Sequence, residues 1–131
     1  MITTNAFNYI NLLDKAADAS WQRENVIMNN IANVDTPGYK RKDLNFEGAL
    51  REALGHCQME TLDQKVSELQ SGLRTLNPSV YRDNANFSYR LDKNNVDVDV
   101  EETEFASEQL RYQGLTTAIN NEFNCMKAVL G

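Results

Sequence analysis

The sequence contains few of the residues from which catalytic and metal sites are built. A single histidine, His56, and two cysteines, Cys57 and Cys125, occur among its 131 residues. Adjacent residues of a helix point about 100° apart, so His56 and Cys57 are poorly placed as a nucleophile pair, and we interpret the cysteines as free thiols. The sequence also lacks a glycine-rich phosphate loop and the common hydrolase and metalloprotease motifs. We therefore predict no catalytic residue, no metal ligand, no cofactor and no enzymatic activity.

Long hydrophobic runs are missing too. A helix that spans a bilayer needs about 20 mainly apolar residues, so direct insertion into a membrane is not expected. The first 20 residues lack the basic start and the unbroken apolar stretch of a cleaved signal peptide. A mean hydropathy of -0.56 and an aromatic content of 8% leave material for one modest core. We expect a protein that is made in the cytoplasm without a cleaved leader.

Positive charge is in short supply. Thirteen lysines and arginines face 19 aspartates and glutamates, which gives a formal net charge of -6. Binding to nucleic acid depends on clustered cations, so nucleic acid is excluded as the main partner. The one basic run, Lys40-Arg41-Lys42 beside Tyr39, is interpreted as a solvated turn rather than a phosphate site.

The first 34 residues have the composition of one long helix. Between Asn5 and Asn33 there is neither proline nor glycine, and Thr3, Thr4 or Asn5 is suited to cap the helix start. Apolar residues recur at helical spacing along one side of the segment. They are Ile10, Leu13, Ala17, Ile27 and Ile31. Such a stripe predicts packing along a second helix.

A second long helix is predicted over residues 97–131. Asp99 and Glu102 have the spacing of a capping arrangement, and only Gly114 interrupts the helical composition before Leu130. The apolar stripe, with spacings typical of lengthwise packing, comprises Phe105, Tyr112, Leu115, Ile119, Met126 and Val129, and Phe123 and Leu130 widen it. We predict a mainly α fold in which the two terminal helices form an antiparallel, coiled-coil-like pair and together one structural domain.

The middle region, residues 35–96, has a different composition. Pro37-Gly38 fits the two central positions of a type II turn that ends the first helix. Apolar spacing predicts short helices over residues 46–55 and 62–73, whereas valines alternating with aspartates over residues 96–100 predict a short strand or extended arm. Because apolar residues are sparse here, we expect loose order unless another surface covers the region.

Each predicted terminal helix also carries apolar residues outside its main stripe. Trp21, Val26 and Met28 in the first helix and Leu110 in the second would contact water in a two-helix hairpin. Helices gain most of their stability from packing, so we expect other copies or related subunits to cover these side chains. A head-to-tail contact that does not close into a ring generates a helical polymer. We expect the isolated chain to be only partly helical.

A dense motif marks the end of the first predicted helix. Asparagine side chains can bind backbone groups left free at a helix end, alanine permits close approach, and a Thr-Pro-Gly turn sets the direction in which the chain leaves. The motif comprises Asn29, Asn30, Ala32, Asn33, Thr36, Pro37, Gly38 and Tyr39. It resembles the signature that follows the first helix in the axial proteins of the bacterial flagellum, the family of rod, hook and hook-associated proteins. The short length and residues 41–46, 95–99 and 110–113 are similar to proximal rod members of that family.

The resemblance implies a structural protein of the flagellar basal body. Members of the family are exported without cleavage by the flagellar type III apparatus and assemble in the periplasm, where the rod acts as a drive shaft that transmits torque from the membrane ring to the hook. The implied partners are other copies of the chain, related rod proteins, membrane-ring and rod-base adaptor proteins, and the export apparatus. The amphipathic helices alone leave one alternative open, a cytosolic helical adaptor or export chaperone, which would not need the Asn-rich motif.

Overall fold

The computed structural model describes residues 2–55, 61–73, 76–84 and 90–131 of the chain. In chain order its elements are α1 (Ile2–Ala32), β1 (Lys42–Asn45), α2 (Phe46–Gly55), α3 (Leu62–Leu73), β2 (Ser79–Arg82) and α4 (Val98–Leu130). The mainly α fold with two long terminal helices is confirmed, as are the two short helices of the middle region. His56 and Cys57 lie outside the described residues, and Cys125 is an exposed free thiol on α4.

The two long helices form an antiparallel pair. At a rise of about 1.5 Å per residue, α1 is about 46 Å long and α4 about 50 Å. Ser20 of α1 bonds to Glu108 of α4, while Asn30, further along α1, bonds to Glu101, which comes earlier in α4. The contact between α1 and α4 is the most extensive between any two elements of the described chain.

The predicted capping residues of both long helices are wrong. Thr3, Thr4 and Asn5 lie within α1 rather than at its cap, because α1 already begins at Ile2. The cap of α4 is Asp97, whose carboxylate accepts hydrogen bonds from the backbone N–H groups of Asp99 at 3.1 Å and Val100 at 3.4 Å.

This cap also explains why the predicted strand over residues 96–100 does not form. The Asp97 carboxylate satisfies two N–H groups that a helix start leaves free, so the backbone enters the helix at Val98. Val96, immediately before the cap, is buried, and Val100 is half exposed on the first turn of α4. The alternation of valine and aspartate therefore reflects the burial of Val96 and the capping by Asp97 rather than a pleated strand.

The middle region contains a two-stranded antiparallel sheet and packs on α1. Strands β1 and β2 pair with Lys42 opposite Arg82 and Asn45 opposite Ser79. Helix α3 lies against α1 and, with Leu76, supplies four of the buried apolar side chains. The buried apolar residues are Ile10, Ala17, Ala19, Ile27, Leu44, Val66, Leu69, Leu73, Leu76 and Val96.

A tight turn follows α1 as the sequence predicts. Gly38 has a φ of +72°, which an L side chain rarely adopts, and the Tyr39 N–H donates to the Thr36 carbonyl at 3.2 Å. The turn is anchored to a distant segment, since the Gly38 N–H donates to the Asp92 carbonyl at 2.7 Å. The turn that follows α1 is thus held in position by a segment more than 50 residues later in the chain.

Candidate assembly site

A buried polar cluster lies where α1 ends and α4 begins. We call it the polar junction and define it as Asn30, Tyr39, Arg41, Asn94, Asn95 and Glu101. Asn30 is completely buried, yet its side chain is fully hydrogen-bonded. Its amide nitrogen donates to the Lys42 carbonyl at 2.7 Å and to Glu101 at 3.0 Å, while its oxygen accepts from the Lys42 N–H at 3.0 Å and the Tyr39 hydroxyl at 3.2 Å. Asn30 therefore joins α1, the turn, β1 and α4.

Glu101 and Arg41 form a buried ion pair within the junction. The Glu101 side chain is completely buried, and it accepts from the Arg41 guanidinium as well as from Asn30. Burial alone lowers the pKa of Arg41, but the hydrogen bond and charge of Glu101, together with Asp43, outweigh it and raise the pKa. Burial raises the pKa of Tyr39, and the charge of Glu101 adds to that effect. The junction therefore holds Arg41 as a cation and Tyr39 as a neutral hydroxyl.

Asn94, from the segment just before α4, binds the chain where α1 ends. Its side-chain nitrogen donates to the carbonyls of Asn33, Val34 and Thr36 at 3.0, 2.8 and 2.9 Å. Carbonyls at the end of a helix have no partner inside it, so Asn94 acts as a cap supplied by a remote segment. Next to it, the Asn95 side chain accepts from the Arg41 N–H at 2.7 Å and donates to the Asp83 carbonyl at 2.9 Å.

A second polar cluster surrounds Arg23, about two turns before Asn30 on α1. The Arg23 guanidinium lies 3.0 Å from Asp43 of β1, 3.5 Å from Glu47 of α2 and 3.6 Å from Glu108 of α4. Burial lowers the pKa of Arg23, but the hydrogen bond and charge of Asp43 and the charges of Glu108 and Glu47 raise it overall. Buried Glu108 also accepts from the Ser20 hydroxyl at 2.6 Å. One guanidinium thus ties together four elements.

The cleft beside Arg23 is small. It has a volume of about 230 Å³ and is lined by Ala16, Ala19, Ser20, Arg23, Leu44, Phe46, Glu47, Glu108, Arg111 and Leu115. Pockets that take small molecules usually have volumes of about 300 Å³ or more. Within the described part of the chain, no group of three or more His, Cys, Asp or Glu residues is placed to hold a metal ion.

The structure distributes the predicted motif residues over several roles. Asn30 and Tyr39 belong to the polar junction. Asn29 and Asn33 instead donate to carbonyls four residues earlier, those of Asn25 at 2.9 Å and Asn29 at 2.7 Å. The Thr36 hydroxyl donates to the Asn33 side chain at 3.2 Å. Ala32, Pro37 and Gly38 are exposed at the helix end and the turn.

The predicted packing residues divide into an inner and an outer set. Ile10, Ala17 and Ile27 are buried. The half-buried residues are Leu13, Ile31, Phe105, Tyr112, Leu115, Ile119 and Met126. Phe123 and Leu130 are 45% and 85% exposed.

Large apolar side chains remain exposed along the paired helices. We call the exposed side chains of α1 and α4 the outer apolar surface, and its residues are Phe7, Trp21, Met28, Val100, Leu110, Phe123, Val129 and Leu130. Two of them, Leu110 and Leu130, are 70% and 85% exposed. Where such side chains form a contiguous patch, the patch is typical of an interaction surface. None of the helices in the described residues is both long and apolar enough to cross a membrane.

Comparisons with known proteins identify the family. The family model described as "Flagella basal body rod protein" matches residues 15–40, which include most of α1 and the turn. The flagellar basal body rod protein FlgB of Bacillus subtilis (strain 168) is 36% identical over 128 residues, covering 90% of this chain and 89% of that protein. The FlgB proteins of Salmonella typhimurium (strain LT2) and Escherichia coli (strain K12) are each 33% identical, with 83% of both chains covered. The chain therefore belongs to the FlgB family of flagellar basal body rod proteins.

Proposed function

We propose that this structural subunit of the flagellar basal body is built into the proximal rod through the outer apolar surface of α1 and α4, which neighbouring rod subunits cover. The observation that carries the proposal is the exposure of large apolar side chains on both helices, with Trp21 at 57% and Leu110 at 70%. Burying one such side chain contributes about 1.5 to 3 kcal/mol before ordering costs are subtracted. Several contacts of this size, made with more than one neighbour, are enough to hold a subunit in a polymer.

In this proposal the two parts of the chain have separate tasks. Residues 1–34 and 97–131 form the helical core of the rod, and residues 35–96 lie on its outer side. The polar junction fixes the angle at which the chain passes from one to the other, because Asn30 and Glu101 connect both long helices to β1 and the turn. The predicted motif and packing residues then set the direction of the chain and the packing of its helices, and the chain carries out no catalysis.

The proposal extends to delivery and mechanical role. The chain is exported by the flagellar type III apparatus without cleavage and reaches its place in the periplasmic rod, where it meets copies of itself, related rod proteins, and the adaptor proteins at the membrane ring and rod base. Its helices then carry torque outward along the drive shaft. Packing along the length of helices suits this task, since load is shared over many small contacts.

The test is a charge placed on the outer apolar surface. We expect Leu110→Asp to be exported in normal amounts, to be absent from purified basal bodies and to abolish swimming, because a carboxylate would be buried in a contact between subunits. Leu110 suits this test better than Leu115, which lines the cleft beside Arg23 and whose replacement would also disturb the chain itself.

The matched control is Gln109→Asp, which adds the same charge at an exposed polar position one residue earlier. It should leave export, incorporation and swimming unchanged. Normal incorporation of Leu110→Asp into basal bodies would contradict the proposal that this surface is covered in the rod.

A further inference from the structure

Four cationic side chains gather at the edge of the polar junction. We call Lys40, Lys42, Arg82 and Lys93 the basic patch. The antiparallel register places Lys42 directly opposite Arg82, so both side chains lie on the same face of the sheet. The Lys40 ammonium donates to the backbone carbonyl of Lys93 at 2.8 Å, so the Lys40 side chain reaches the segment that carries Lys93. Arg82 and Lys93 are exposed, and Lys40 and Lys42 are half-exposed.

The basic patch costs the isolated chain stability. Like charges directly opposite each other in a sheet repel. Among the described residues, no carboxylate lies within ion-pair distance of any of the four cations, although the chain as a whole carries a net charge of -6. Within the described residues, Arg41 is the only residue of the basic run that forms ion pairs, with Asp43 and Glu101.

An opposite, equally unpaired feature lies on α1. Asp14 and Asp18 are exposed and four residues apart, so they are neighbours on one helix face and repel each other. Within the described residues neither carboxylate makes an ion pair or a hydrogen bond. Both are more than two turns from the start of α1 at Ile2, so the helix dipole does not offset their repulsion. We call them the acidic pair.

The acidic pair and the basic patch cannot meet within one chain. Asn30, whose side chain bonds to the Lys42 backbone, lies 12 residues after Asp18 on the same straight helix. At about 1.5 Å per residue, this places the two features about 18 to 24 Å apart along α1. A contact between them requires a second copy shifted by that amount along the helix axis.

We propose that the basic patch of one subunit docks on the Asp14–Asp18 acidic pair of a second copy of this chain. The proposal deepens the function proposed above by naming one partner and the face it presents. The contact is heterologous, since the two faces differ, and it can therefore repeat from copy to copy. Its charges steer the subunit to its neighbour and fix the axial shift, while the outer apolar surface supplies most of the binding energy.

The first experiment is a charge exchange in cells that carry the altered gene in place of the original. K42E/R82E and D14K/D18K should each reduce incorporation into basal bodies about tenfold, because like charges would then meet at the contact. The combination of all four substitutions should restore incorporation, since attraction is regained with the signs reversed. R51E/K127E, which changes the net charge as much as K42E/R82E does at two exposed positions, is the control and should have no effect.

The second experiment locates the contact directly. A zero-length carbodiimide joins a carboxylate to an amine only where the two touch, so basal bodies from the unaltered strain should yield peptides in which Asp14 or Asp18 is coupled to Lys40 or Lys42. The separation of about 18 Å or more within one chain excludes an intramolecular product. R82E chains that reach the basal body, which keep both lysines, should give this product at a lower yield.

The proposal is overturned if the coupled peptide is absent from basal bodies that contain the unaltered chain, or if Lys42 is coupled to a different protein. It is also overturned if the fourfold variant, with a circular dichroism spectrum like that of the unaltered chain, fails to restore incorporation. Absence of the unaltered chain from basal bodies would instead overturn the function proposed above. The two failures are therefore distinguishable.

Discussion

At the polar junction, Asn30 and Glu101 are completely buried and bonded to partners within the chain, whereas Leu110 and Leu130 on the same pair of helices are 70% and 85% exposed. The usual arrangement of a small domain is thus inverted along α4. Its only buried residues are Glu101 and Glu108, and none of its large apolar residues is fully buried.

The difference distinguishes contacts made within the chain from side chains left exposed, which we propose neighbouring subunits cover. Buried ion pairs add little stability, but one missing partner is costly, so they are suited to fixing a single geometry. Exposed apolar side chains specify no geometry alone and gain energy wherever a complementary surface covers them. Polar contacts fix the internal register of the chain, and in the function proposed above the exposed apolar surface serves assembly.

The largest expected effect comes from removing one partner at the junction. Glu101→Leu leaves the Arg41 guanidinium and the Asn30 amide without their carboxylate, so the free energy of unfolding should fall by about 3 to 5 kcal/mol. Urea denaturation followed by circular dichroism measures it. Glu102→Leu, at the exposed neighbouring position, should change it by less than about 0.5 kcal/mol. An equally small effect of Glu101→Leu would show that the junction does not stabilise the chain.

A smaller loss is expected when the remote cap of α1 is removed. Asn94→Asp keeps the size of the side chain but replaces the amide that donates to three carbonyls, so the free energy of unfolding should fall by about 1 to 3 kcal/mol. Hydrogen exchange should show the loss at residues 29–39 first. Asn84→Asp, at an exposed position, serves as the control. Unchanged exchange at the end of α1 would contradict the capping role of Asn94.

Two glutamates near Arg23, Glu24 and Glu47, should give opposite effects of pH on stability. Burial and the charge of Glu108 raise the pKa of Glu24 above its ordinary 4.5. For Glu47, burial acts to raise the pKa, but its backbone hydrogen bond and the cations Arg111 and Arg23 lower it overall. Ionised Glu24 therefore costs stability as the pH rises above about 4.5, while ionised Glu47 contributes stability that is lost as the pH falls through its lowered pKa.

Glutamine variants separate these effects in thermal melts between pH 3 and pH 7. Glu24→Gln should raise the melting temperature at pH 7 and leave it unchanged at the acid end. Glu47→Gln should lower it at pH 7 and have a smaller effect as the pH falls. Both changes correspond to less than about 1 kcal/mol, since both groups keep contact with solvent, which screens their charges. Shifts of the same sign in both variants would contradict this account of the cluster.

The smallest effect on the chain itself is expected on the outer apolar surface. Leu110→Ala should change the free energy of unfolding of the isolated chain by less than about 0.5 kcal/mol, because the side chain buries little apolar surface within the chain. Leu69→Ala, the same change at a buried position of α3, should lower it by about 2 to 5 kcal/mol. Similar losses in the two variants would show that Leu110 is covered within the chain.

Local patterns in the sequence predict much of this fold. Apolar spacing predicts both long helices, their antiparallel pairing and the short helices of the middle region. Pro37-Gly38 predicts the turn. Each depends on residues close together in the chain. The predicted cap of α4 is wrong because Asp97 and Asp99 are both competent caps, and only the position of buried Val96 selects the first.

Apart from Asn30 and Tyr39, the polar junction and the cluster around Arg23 are the parts that local patterns could not predict. Asn94, Arg23 and Glu108 were not among the expected site residues, because their partners lie far away in the sequence. One signal was present: Arg23 and Asn30 are seven residues apart, as are Glu101 and Glu108, so each pair occupies one helix face. Polar residues repeated at the packing interval of two helices indicate a buried polar seam.

The remote capping of α1 also sets the pace at which the chain folds. The bonds from Asn94 to Thr36 and from Asn30 to Glu101 span 58 and 71 residues. Helical proteins usually fold quickly because their contacts are local, but here α1 is not closed until a long loop has formed and its entropy has been lost. Compared with other helical chains of its length, this one should cross a higher kinetic barrier. We therefore expect the end of α1 to remain unfolded until the last third of the chain has packed against it.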